Sequence, residues 1–374
     1  MKFIKKIKNF GFVGGADVFG SGISGGFWFV LATLIEPEVY GELFFYIGIA
    51  GVASTFALVG TRDTLIVYIA KKIKIQSTLY FISIISAIVG STIIIILFYR
   101  VDVAFLCLGY TIMTLAISDL LGRKLFSSYA KYNILQKILT FGLGISFFFI
   151  FGIEGILYAL ALSFVAYTII IVKGLKSQIN FRLIKTHSNF IIHNYTSNAV
   201  LGVWAQIDKL IIPSILGFTI LGNYSLALQI MNILTIFPAI VYKIILPLDS
   251  SGETTVRIKK ISLGISGVIT VFGITILPSI IGLFFEKYEL VVDLIQIMSI
   301  GIILGTINYF YTSKFLSKEK SKHVLIATLI SLISIVLGMI ILGSLFGAIG
   351  LAMAFVITTA TQTGYLAIID RFGK

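Results

Sequence analysis

The sequence predicts an all-α polytopic membrane protein of about 12 transmembrane helices in two parallel six-helix repeats, with both termini cytoplasmic. Three observations predict it. Of 374 residues, 58% are hydrophobic and only 12% charged, with a mean hydropathy of +1.04; a soluble domain carries about 25% charged residues. Twelve continuous apolar segments are each long enough to cross hydrocarbon, which takes roughly 20 helical residues for about 30 Å. The cations recur on alternate sides of those segments, as topology requires.

The segments run approximately over 10–35, 40–60, 78–98, 103–121, 136–153, 155–173, 189–216, 220–246, 261–285, 290–313, 323–344 and 347–369. They lack the polar–apolar alternation of a membrane β-barrel. With the N-terminus in the cytoplasm, 26 of the 29 Lys and Arg residues fall on cytoplasmic flanks, Lys137 among them. Arg100 and Lys287 fall outside, and Lys209 lies within a span. A missed or extra helix would scramble this alternation downstream.

The first segment follows a basic start and is too long for the apolar part of a cleaved signal peptide, so it reads as a true span. Residues 1–10 place Phe3, Ile4, Ile7 and Phe10 among lysines. They form either an interfacial amphipathic helix or a basic topogenic flank. The longest loops, near 61–77 and 174–188, are too short for a soluble domain. The formal charge of +13 sits beside apolar runs, which points to anionic membrane lipids and not to nucleic acid. Cys107 is the sole cysteine and the three histidines are unpaired in sequence, so neither a disulfide nor a zinc site is expected. No P-loop is present, and neither a cofactor nor a catalytic residue is predicted.

The two halves echo each other in order. The run from Gly41 to Tyr46 opens the second span, and the run from Gly222 to Ala227 opens the eighth. The turn at Gly152 and Gly155 is matched by Gly347 and Gly350, and the segment at Phe126–Ser127 by Leu316–Ser317. Each unit thus has six helices and enters from the same side, giving halves at 1–180 and 181–374 and a substrate path between them.

A charge at bilayer depth is costly unless it faces a partner or water, so intramembrane polar residues are the site candidates. Asp17 shares a face of the first span with Ser21, Ser24 and Trp28, all within about 40°. The same helix is rich in glycine, which permits close helix approach. The seventh span carries Asn194, Asn198, Asp208 and Lys209 within an arc of roughly 100°. Asp208 and Lys209 are adjacent in sequence and so should not face each other squarely. Gln229 and Asn232 lie in the eighth span, Asp293, Gln296, Asn308 and Tyr309 in the tenth, and Thr361 and Gln362 in the twelfth. Interhelical hydrogen bonding is the alternative role for each. Pro213, Pro238 and Pro278 should kink their helices.

At two places the residues resemble a known family. The stretch Leu34–Ile35–Glu36–Pro37–Glu38–Val39–Tyr40–Gly41–Glu42 follows the glycine-rich first span. Gln206–Ile207–Asp208–Lys209–Leu210–Ile211–Ile212 is followed by Leu221–Gly222–Asn223–Tyr224–Ser225. Both are similar to signatures of the Wzx-type polysaccharide flippases of the MATE-like MOP exporter superfamily. The resemblance implies a cell-membrane transporter that flips a lipid-linked oligosaccharide, a polyprenyl-diphosphate sugar, by alternating access. It also implies a coupling cation, H+ or Na+. Lys209 is then the only deep cation, which argues against a strongly acidic glycan. Two other readings stand beside it. One is a MATE-type exporter of small organic cations, which Asp17 and Asp208 would suit. The other is a membrane-embedded lipid-linked sugar transferase, for which no paired acidic motif is present.

Overall fold

The computed structural model describes residues 2–59, 61–175 and 178–372, with the side chains of 2–13, Thr61 and Ser197 outside the description. The lysine-flanked face expected for residues 1–10 therefore lies outside the described residues. Among the described residues the chain is helical throughout, without strands.

The helices of the first half are α1 (Lys2–Leu34), α2 (Pro37–Ala57), α3 (Thr61–Ala70), α4 (Gln76–Phe98), α5 (Val101–Gly122), α6 (Phe126–Phe151), α7 (Glu154–Ser163) and α8 (Thr168–Leu175). Those that follow are α9 (Phe181–Thr186), α10 (Ser188–Trp204), α11 (Ile207–Leu216), α12 (Phe218–Leu234) and α13 (Ile236–Ser250). The last are α14 (Val256–Thr275), α15 (Leu277–Phe284), α16 (Val291–Met298), α17 (Ile300–Ser317) and α18 (Ser321–Phe372).

Among the described residues, ten helices, some of them joined pairs, are long and apolar enough to span a membrane, and the bent pair α12–α13 makes eleven. The 52-residue α18 is broken at Gly347, whose backbone is non-helical. Its two arms fold back on each other: Gly350 abuts the Leu342 carbonyl, Gly338 meets Ala354, and Leu366 packs with Ala327. Counting those arms separately yields the twelve spans expected. The chain is a multi-pass membrane protein.

The solvent is legible in which faces are buried. On α4 the buried residues include Ser77, Thr78, Ser83, Ala87 and Ser91, while Ile88, Val89, Ile93, Ile96 and Leu97 are exposed. On α14 Ser262, Ser266, Thr270 and Gly273 are buried, and Val268 and Val271 point outward. A water-soluble helix would bury the opposite face. In lipid, small residues let helices approach and hydroxyls bond across them. Ser91 accordingly donates to the Ala104 carbonyl at 2.9 Å, and Thr306 to Ser266 at 2.8 Å.

Several helices differ from the sequence expectation. Residues 61–70, expected as loop, form α3; ten helical residues rise only about 15 Å, too little to register as a span. The fifth span begins at Phe126, ten residues before the apolar run at 136, because polar residues inside it are satisfied by neighbours. The breaks near Pro238 and Pro278 fall where a proline withholds an N–H from the carbonyl four residues earlier. At the first, α12 and α13 meet at a 45° bend. At the second, the Ile274 carbonyl freed by Pro278 accepts from Gln296 Nε2 at 3.2 Å. Pro213 instead remains inside α11, and the seventh span is interrupted at Ala205–Gln206.

By packing, the chain forms two compact units. The first comprises Met1–Leu31 and Phe45–Ile207; the second comprises Ala32–Phe44 and Asp208–Lys374.

Candidate functional site

In the first unit, polar residues at depth gather around two places. Asp17, on α1, accepts a hydrogen bond on Oδ1 from the Tyr129 hydroxyl at 2.7 Å and a longer one from Asn133 Nδ2 at 3.3 Å. Tyr129 and Asn133 are one turn apart on α6, and Lys137 lies one turn further. The Lys137 stem packs against Gly20, where an added Cβ would stand 3.3 Å from Lys137 Cγ. Lys137 is within electrostatic range of Asp17, as Arg62 is of Tyr129. Deeper along α6, Gln136, Thr140 and Ser163 form a buried hydrogen-bonded trio at 2.7–3.1 Å. The sequence reading placed Lys137 on the cytoplasmic flank. It stands eleven residues into α6, about 16 Å along its axis.

The second place is a cavity of about 490 Å³ lined by α2, α5 and α10 together with Arg62. Its polar lining includes Ser54, Thr55, Arg62, Thr114, Asn198 and Gln206. Asn198 Nδ2 and Gln206 Oε1 are buried and have no hydrogen-bond partner among the described residues. Such atoms are rare in folded proteins, because each costs about 1–3 kcal/mol if left unpaired. A donor and an acceptor in a cavity that a guanidinium also lines can take a ligand with both phosphate and hydroxyl groups. Asn194, one turn from Asn198, is instead engaged with Thr64 Oγ1 at 3.2 Å.

In the second unit Asp208 is buried, and Lys209 Nζ bonds its Oδ1 at 3.2 Å. Adjacent residues pair here because they open α11 just after a break, where the long lysine stem can curl back. Gln229 is half-buried and Asn232 exposed on α12. Asp293 is exposed in the first turn of α16, where a carboxylate favours the helix N-terminus. Asn308 accepts from Thr312 at 3.4 Å, while its Nδ2 is buried without a partner among the described residues. Beside it Tyr309 stacks on Tyr242, ring centroids 5.0 Å apart. No group of three or more His, Cys, Asp or Glu among the described residues is placed to hold a metal.

No protein-family profile matches the chain, and no curated protein matches its sequence at a significant level. Its helical arrangement does match solved structures. The lipid II flippase MurJ superposes with a TM-score of 0.75 over 95% of this chain and 86% of its own, at 15% identity. The fold is that of the MOP-superfamily transporters. A MOP-superfamily transporter from Pyrococcus furiosus matches with a TM-score of 0.60, 15% identity and coverage of 97% and 93%. An outward-facing multidrug resistance MATE transporter of that superfamily matches at 0.62, with 16% identity and coverage of 97% and 93%.

Within this MOP fold, sequence reasoning missed Arg62, Tyr129, Asn133 and Lys137. The signal for the last three was present. They recur every fourth residue at the head of an apolar helix, the spacing of one helical face. Arg62 carried no such signal, being short of any span.

Proposed function

We propose that this protein is a transporter that flips a lipid-linked oligosaccharide, carried on a polyprenyl diphosphate, across the cytoplasmic membrane. The observation that carries the reading is the cavity of the first unit, lined by Arg62 and by Asn198 and Gln206, whose Nδ2 and Oε1 have no partner among the described residues. A diphosphate supplies acceptors for the guanidinium and for Asn198 Nδ2; sugar hydroxyls can donate to Gln206 Oε1. A small apolar cation offers neither. The likeness to a lipid II flippase is support of the same kind. Arg62 supplies the cavity with a cation, so an acidic substrate is admissible.

Transport is by alternating access between the two six-helix halves, 1–180 and 181–374, coupled to H+ or Na+. Asp17, Asn194 and Asn198 serve it in the first unit. Asp208, Lys209, Gln229, Asn232, Asp293 and Asn308 serve it in the second. No covalent chemistry is performed. The MATE-type reading draws on one observation, that Asp17 is a carboxylate held by two neutral donors. A carboxylate so held can also meet an organic cation.

The test is a reconstituted assay in liposomes carrying a labelled polyprenyl-diphosphate oligosaccharide, with and without a proton or sodium gradient. Protein-dependent arrival of the label on the opposite leaflet, lost in Arg62→Gln, supports flipping. Absence of movement in vesicles that accumulate a cationic dye under the same gradient would transfer the assignment to small-molecule export.

A further inference from the structure

Another cavity of the first unit, about 870 Å³ in volume, shares no lining residue with the one above. It lies where α3 and α5 end, α4 begins and the chain enters α9. Lys72, Lys74, Arg123 and Lys124 line it, and no carboxylate among the described residues does. Arg123 is partly engaged: its Nε donates to Asp119 Oδ2 at 2.7 Å and its Nη2 to Gln76 Oε1 at 3.3 Å. Lys72, Lys74 and Lys124 are exposed and form no ion pair among the described residues. Cations gathered around one concavity repel each other and focus their field there, so an anion that several of them share is favoured.

The rim bears on the source of that anion. Gln178 and Asn180 line the cavity, while Ile179 between them and Phe181 after them are exposed. Asn180 is extended, with φ −136° and ψ 93°, and its N–H donates to Thr78 Oγ1 at 2.8 Å. Extended chain sends alternate side chains to opposite sides. Phe181 meets Phe81, exposed on the second turn of the membrane-spanning α4, with ring centroids 6.3 Å apart. Apolar side chains turned outward beside a span belong at the boundary of acyl chain and headgroup. By the positive-inside rule the basic connections at this end face the cytoplasmic leaflet, which carries the anionic lipids.

We propose that this cavity binds a phosphate group, that of an anionic phospholipid of the adjoining leaflet, with Lys72, Lys74 and Lys124 around the headgroup. Arg123, held by Asp119, forms one wall. A lipid bound there joins the ends of α3, α4 and α5 and stabilises the first unit.

The test reads binding and uses no transport, so its outcome is independent of the flippase reading. Purified protein in dodecyl maltoside is melted with added dioleoyl phosphatidylglycerol, dioleoyl phosphatidylcholine or sodium phosphate, and bound lipid is counted by native mass spectrometry. Phosphatidylglycerol should raise the melting temperature by several degrees and persist as an adduct, while phosphatidylcholine does neither. The triple variant Lys72→Asn, Lys74→Gln, Lys124→Asn should lose both effects. Asparagine is used at two of these positions because both lysines have φ 60°, which it tolerates. The triple variant Lys318→Gln, Lys320→Gln, Lys322→Gln removes equal charge from an exposed flank of the second unit and should keep both effects. Equal loss in the two triple variants, or no preference for phosphatidylglycerol, would overturn the site and leave the lysines as topological flanks. Equal stabilisation by sodium phosphate, in competition with the lipid, would overturn the lipid and assign the cavity to a soluble phosphate. Should the first triple variant not be monodisperse, its three single variants decide. Each should weaken phosphatidylglycerol binding several-fold, and wild-type binding in all three refutes the site.

Discussion

Gly41 of α2 and Gly222 of α12 lie against each other reciprocally. Gly41 sits on the Phe218 carbonyl, four residues before Gly222, and Gly222 sits on the Pro37 carbonyl, four residues before Gly41. These are the same two glycines that mark the openings of the second and eighth spans in the sequence repeat. Backbones this close leave no room for a Cβ, and the contact depends on Cα–H···O and dispersion terms. Gly41→Ala or Gly222→Ala should therefore force the helices apart at a cost of about 1–3 kcal/mol each. Gly264→Ala, where no heavy atom lies within 4 Å, should be neutral or mildly stabilising. Thermal unfolding in detergent, followed by size-exclusion fluorescence, separates the two classes; equal melting points would refute the contact.

The hairpin turns should be sensitive for a different reason. Gly152 has φ 69° and ψ −154°, and Gly347 has φ 60° and ψ −136°. That backbone is essentially closed to residues with a Cβ. Neither glycine has a heavy atom within 4 Å of the Cβ position, so the cost of Gly152→Ala or Gly347→Ala is one of backbone strain, about 1–3 kcal/mol. Ala at both sites should lower the melting temperature about additively, since the two turns belong to different compact units.

The Asp17 cluster should answer to transport assays more than to melting. Removing the Tyr129 hydroxyl deletes a hydrogen bond to a charged group, worth about 1.5–3 kcal/mol. If that bond is made in only one transport state, Tyr129→Phe slows flipping roughly tenfold or more. Asp17→Asn should slow it at least as much, with yield and monodispersity near wild type. Unchanged initial rates in both variants would remove Asp17 from the transport machinery.

Gln296 supplies the contrasting case of a polar intramembrane residue with a structural task. Its amide bonds the Ile274 carbonyl that Pro278 leaves free. Gln296→Leu should cost about 1 kcal/mol, as interhelical hydrogen bonds in membranes do, and leave flipping rates unchanged. Reverting the cause with Pro278→Ala should make the position tolerant, which a double-mutant cycle on melting temperatures would detect.

Much of this protein is legible in its amino-acid sequence. The solvent, the number of spans and the glycine-marked turns follow from properties that act segment by segment. Roughly twenty apolar residues must cross as helix, and a lone glycine between two such runs marks where the chain can reverse. Asp17 and Asn198 were also visible, because an intramembrane polar group stands out against apolar neighbours. Their partners were not. Lys137 reads as a flanking cation until α6 is seen to begin at Phe126, and Arg62 reads as a loop residue until it is found on the wall of a cavity. Asp208 and Lys209 read as neighbours that look apart until a helix break lets them pair. The sequence by itself determined which residues must avoid lipid. Which of them meet one another was left to tertiary structure, because hydrophobicity sums along a helix while a hydrogen bond depends on which face of another helix arrives opposite it.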